Sequence, residues 1–144
     1  MLRRSFAIRN GLILFGLLGI YFLILDALGL ADQMFLRFLN YAFIIGLLNN
    51  TIKHAVKNGE NYLNKLFIGI VTVFIGLFLS IVALYIYLQL FEFPIERYQT
   101  AVIAASTYNQ LCGALFIEGL SSSIILVFIL LQFYKNKSPR EVEV

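Results

Sequence analysis

Long uncharged runs alternate with short polar joints along this chain. Gly11–Leu25 and Leu66–Phe91 hold no charged side chain, and Leu111–Leu131 holds only Glu118. A helix crossing the hydrocarbon core of a bilayer needs about 20 mostly apolar residues. Four segments meet that need: Ile8–Leu30, Gln33–Ile52, Leu66–Phe91 and Tyr108–Tyr134. The pattern predicts an all-α polytopic membrane protein with four transmembrane helices. It makes one transmembrane domain of residues 1–134 and a flexible tail of 135–144, where mixed charges surround a proline. The first run leads straight into a second apolar segment, so it is read as a retained span rather than a cleaved signal peptide.

The joints differ in kind. Only Ala31-Asp32 separates the first two segments, which predicts a tight antiparallel hairpin with Asp32 as the N-cap of the second helix. The second joint, Lys53–Lys65, is polar and carries an Asn58-Gly59 turn signal. The third, Glu92–Thr107, contains Pro94 followed by Ile95, Tyr98, Val102 and Ala105 near one helical face. Proline suits the first turn of a helix. A short helix on the outer membrane surface is expected there, with an ordered loop as the alternative.

Composition narrows the function classes. The chain has 144 residues, 60% hydrophobic and 13% charged, against about 45–50% and about 25% in a soluble domain. A soluble protein this small has no interior able to hide so many apolar side chains. The net charge of +3 comes in short basic clusters rather than a face or stripe, which speaks against nucleic acid. Cys112 and His54 are each the single residue of their kind. An internal disulfide and a cysteine-based zinc site are therefore excluded. No metal, cofactor or enzymatic chemistry is expected, since no serine, histidine and acid can meet at one membrane depth.

The basic residues also set orientation, because cytoplasmic flanks retain Lys and Arg. Arg3, Arg4, Arg9, Lys53, Lys57, Lys65, Lys135, Lys137 and Arg140 are nine of the eleven, and a four-span topology puts them all on one side. Asp32, Glu92, Glu96 and Arg97 fall on the other. Both termini are expected in the cytoplasm.

Three charges remain inside apolar segments: Asp26, Arg37 and Glu118. Glu118 precedes Lys135 by 17 residues and Asp26 follows Arg9 by 17, about 25 Å of helix in each case. Arg37 precedes Lys53 by 16, about 24 Å. The three share one level in the outer half of a core about 30 Å thick. One guanidinium cannot neutralise two carboxylates, so either one acid is protonated or Asp26 reaches out to the headgroups. Arg37 with Glu118 is the preferred pair, since guanidinium meets carboxylate bidentately. Asn40, Ser121 and Ser122 lie one turn inward and offer polar company. Such a cluster serves as a structural staple or partner-docking element, or as a proton or ion site with Glu118 as the titrating group.

Gly69, Gly76 and Ser80, with Thr72 and Ala83, repeat at spacings of three or four. Small residues so spaced let helices approach closely, within this bundle or against another subunit.

In sequence order, a basic N-terminus runs into "RNGLILFGLLG", the loop "KHAVKNGENYLNKLFIGIVTVFIG" follows, and a long span ends in "YIYLQLFEFPIE". The last span is "FIEGLSSSIILVFILLQFYKNK". This series resembles a family of uncharacterised bacterial four-helix inner-membrane proteins, a domain of unknown function, over nearly the whole chain. The resemblance implies a four-helix fold and the bacterial inner membrane, and it implies no reaction. The expected role is an accessory or assembly subunit of a larger membrane complex, or a homo-oligomer. A small proton- or ion-coupled transporter using Glu118 is the alternative.

Overall fold

The computed structural model describes residues 2–31, 33–99 and 104–137. Four long helices follow one another: α1 (Leu2–Ala27), α2 (Met34–Lys57), α3 (Tyr62–Phe91) and α4 (Tyr108–Tyr134). A single turn of 3-10 helix, Ile95–Tyr98, lies between α3 and α4. Three helices are long and apolar enough to cross a membrane: Ser5–Ala27 within α1, then α3 and α4. α2 is as long but carries Arg37, Asn40, Asn49, Asn50, Thr51 and Lys53, and falls short on composition.

Helix ends follow local chemistry. α1 stops after Ala27, three residues before the expected end, because Gly29 adopts φ +68°. Leu30 N donates to Leu25 O and Gly29 N to Asp26 O, the paired bonds by which a left-handed residue closes a helix. The same device ends α2. Gly59 sits at φ +65°, with Glu60 N bonded to Ala55 O and Gly59 N to Val56 O. The Asn-Gly signal is therefore a helix stop, and α2 runs on through residues 53–57 that the sequence assigned to a loop. Asn61 then caps α3, accepting from Asn64 N at 2.9 Å, so α3 begins four residues earlier than expected. Thr107 caps α4 in the same way.

Asp32 and Val102 lie outside the described residues, as does the tail from 138 onward. α2 starts after Gln33, whose side chain makes no capping bond. Among the described residues of the expected interfacial helix, Ile95–Tyr98 form a 3-10 turn and Ala105 is outside any helix.

Two larger apolar clusters divide the bundle along its length, and a third, small one joins Ala7, Ala55 and Ile68. The largest joins Leu14 and Leu18 of α1, Ile44, Leu48 and Ile52 of α2, Val73 and Leu77 of α3, and Val127 and Leu131 of α4. The second gathers Ala31, Leu88, Tyr98, Ala105, Leu111 and Cys112 beneath the 3-10 turn. Close approach of α3 to its neighbours depends on glycine. A Cβ on Gly76 would lie 2.7 Å from Leu14 Cδ2, and one on Gly69 would lie 3.0 Å from Val127 Cγ1. Ser80 turns its hydroxyl back to Gly76 O at 2.7 Å.

Gly76→Val should therefore force α1 from α3 and destabilise the protein by about 1–3 kcal/mol, the usual range for overpacking. A Cβ at Gly46 would meet nothing within 4 Å, so Gly46→Ala should leave stability unchanged or raise it. Unfolding in mixed micelles, followed by far-ultraviolet circular dichroism, separates the two.

Candidate functional site: an outer clasp and the cavity beneath it

Asp26 occupies the last turn of α1 and is 6% exposed. A carboxylate at a helix C-terminus faces the negative end of the helix dipole, and burial adds the loss of hydration. It needs donors, and they come from far along the chain. Arg97 Nη2 pairs with Asp26 Oδ1 at 3.1 Å and also donates to the backbone oxygen of Asp26 at 2.9 Å. Tyr98 donates its hydroxyl to Oδ1 at 3.0 Å, and Tyr87 of α3 donates to Oδ2 at 2.7 Å. The Arg97 guanidinium lies 5.0 Å from the Phe93 ring centroid, within cation–π range.

Tyr98 is 2% exposed. Burial, and after it the hydrogen bond and charge of Asp26, push its phenol pKa above the ordinary value. It stays a neutral donor.

Counting along the helices lets Asp26 reach out to the headgroups and pairs Arg37 with Glu118. The structure differs on both points. Asp26 is sealed inside by a cation that the 3-10 turn folds back over the helix ends. Arg37 directs Nη2 to Tyr98 O at 2.7 Å and Nε to Ala31 O at 3.3 Å, carbonyls that end the α1–α2 joint and the 3-10 turn. No ion pair or hydrogen bond joins it to Glu118, which projects from the exposed side of α4. The reason is positional. The loop carbonyls lie within reach of Arg37, and nothing on α2 draws Glu118 inward.

Arg37, Asn40, Ser80 and Glu118 nonetheless line one cavity of about 420 Å³, with Leu18, Phe22, Ile44, Leu77, Leu84 and Leu115 among its apolar walls. Tyr87 and Tyr98 form part of the wall and separate the cavity from Asp26. Among the described residues, Asn40 Oδ1 is buried and finds no hydrogen-bond partner, and the same holds for Ser123 Oγ deeper in the bundle. Ser122 bonds Tyr41 across the α2–α4 gap at 3.4 Å, and Ser121 is exposed. Among the described residues no group of His, Cys, Asp and Glu gathers to hold a metal.

Arg97, Tyr87 and Tyr98 are site residues that the depth argument missed. Counting along helices cannot see a loop that returns over their ends. One signal was present: Arg97 is the lone cation of its joint and stands between Phe93 and Tyr98.

No family model, curated protein or solved structure matches the chain. Function must be argued from this geometry.

Removing a hydrogen bond to a charged partner costs about 1.5–3 kcal/mol. Tyr98→Phe should lose stability in that range, and Tyr87→Phe less, because Tyr87 is only half-buried. Equilibrium unfolding of the two variants in micelles checks the order.

Proposed function

We propose that this chain is a four-span membrane protein with both termini in the cytoplasm. In this reading it is an accessory or assembly subunit that docks on a membrane partner through the α4 face bearing Glu118. The observation that carries the docking is Glu118 itself. It lies about 25 Å along the helix from Lys135, is exposed, and makes no hydrogen bond or ion pair with any described residue. A charge at the bilayer centre costs about 2.5–3.5 kcal/mol on insertion scales, and less toward the interface. A Lys, Arg or other donor on a partner helix removes that cost. α4 is also less buried than α1 and α3. Only 17% of its most apolar stretch is buried, against 33% for α3.

The fourth crossing is supported by where α2 turns its polar groups. Asn49 accepts from Tyr134 of α4 at 2.7 Å, and Thr51 accepts from Asn10 of α1 at 2.8 Å. Phe35, Phe38, Leu39 and Ile45 face outward. Inward polar groups paired between helices, with an apolar outer face, suit a lipid-surrounded helix. The lysines and arginines flanking the spans favour cytoplasmic ends, and the sequence resemblance implies the bacterial inner membrane.

Proton or ion coupling through Glu118 is the second reading. It is favoured by one observation: Glu118 and Arg37 share a cavity wall at membrane depth.

Purification in mild detergent followed by mass spectrometry should recover other membrane proteins in fixed ratio, and Glu118→Gln should weaken that association. Recovery of a discrete self-assembly lost in the same variant would make the partner a second copy. A monomer that alone moves protons in liposomes, with flux abolished by Glu118→Gln, would replace docking by transport. Topology has its own check. In a Cys112→Ala background, a cysteine at Glu96 should react with an impermeant maleimide in intact cells. One at Asn136 should react only after permeabilisation.

A further inference from the structure

The cavity is a site beyond the docking role of α4, with which it shares Glu118. Its volume of about 420 Å³ falls in the range of small-molecule sites, about 300–1,000 Å³. All four helices contribute to its walls, which are mostly aliphatic and aromatic. It lies between the two larger apolar clusters, so neither half of the bundle fills it.

Two features define what the cavity would hold. The first is its mouth. The wall residues Leu23 of α1, Phe38 of α2, Ala83 of α3 and Glu118 of α4 are all exposed, so the cavity opens sideways onto the bundle surface, at the depth of the apolar spans. Entry is therefore from lipid, and the occupant must partition into a bilayer. The second is polarity. Asn40 Oδ1 is a buried acceptor without a partner among the described residues, a state that costs about 1–3 kcal/mol when left unsatisfied. Glu118 adds an accepting carboxylate at the mouth. Arg37 stands in the same wall and directs its Nε and Nη2 to the carbonyls of Ala31 and Tyr98, toward the outer cap. Asn40 Oδ1 and Glu118 are thus the acceptors offered to whatever enters.

We infer that the cavity binds a single-chain membrane amphiphile whose polar end donates hydrogen bonds, an alcohol or a protonated amine, to Asn40 and Glu118. The alkyl chain lies against Leu18, Phe22, Leu77 and Leu84. An amphiphile of the same length ending in a carboxylate would set an acceptor against acceptors and a negative charge beside Glu118, and is rejected.

The test uses the full-length protein in phosphatidylcholine nanodiscs and a long-chain amine carrying a diazirine in its alkyl chain. Photolysis and peptide mapping should place adducts on the wall segments 15–25 of α1 and 77–84 of α3. Hexadecylamine and hexadecanol should compete the labelling at least tenfold better than hexadecanoate. Asn40→Leu, which removes the acceptor but keeps an apolar volume, should cut labelling by fivefold or more without loss of helicity. A Cβ at Gly19, on the wall, would meet no atom within 4 Å, so Gly19→Phe can be accommodated and should abolish labelling by filling the space. Three results would each overturn the inference: adducts confined to lipid-facing residues outside the wall segments, such as Leu12 and Phe74, equal competition by hexadecanoate, or undiminished labelling in Gly19→Phe.

Discussion

Burial of one carboxylate organises the outer end of this molecule. Asp26 lies where the α1 dipole is least favourable to it, and only a cation with further donors makes that position tolerable. Arg97 and Tyr98 sit in the 3-10 turn, so satisfying Asp26 pins the α3–α4 connection onto the end of α1. Tyr87 brings in α3. Arg37, through the carbonyls of Tyr98 and Ala31, ties the start of α2 to the same turn. Four elements that share little sequence proximity are thereby held by one set of polar contacts.

The cavity is a consequence of that arrangement. The inner half of the bundle is closed by interdigitating Leu, Ile and Val, with Gly69 and Gly76 letting α3 lie close to α4 and α1. The outer half is closed by the cap. Between the two, aromatic and aliphatic walls from all four helices enclose space. Glu118 stands at the edge of that space, exposed on α4. A polar group retained at such a place serves contact with something else, and Glu118 is common to the docking face and to the cavity mouth.

The helices were legible because span length and uncharged runs are written directly in the residues. α4 was placed from Tyr108 to Tyr134 without adjustment, whereas α2 overran its expected end, since its amphipathic close at residues 53–57 reads as loop until Gly59 stops it. The level shared by Arg37 and Glu118 also followed from counting, and both reach one cavity. Pairing did not follow. Helical rise gives depth but no azimuth, so it cannot tell that Glu118 faces outward. Nor can it anticipate that Arg97, 71 residues from Asp26, returns by way of Pro94 and a turn too short to register as an amphipathic helix. The clasp is a tertiary fact. Only the isolated cation between aromatics hinted at it.

The claim that Asp26 and Arg97 form an energetically coupled clasp is tested most directly by a double-mutant cycle. Asp26→Asn, Arg97→Gln and the double variant would be compared by reversible unfolding in micelles. Surface pairs couple by about 0.2–1 kcal/mol, and a pair with one partner this buried should exceed about 1 kcal/mol. Additive losses, with no coupling beyond experimental scatter, would contradict the account.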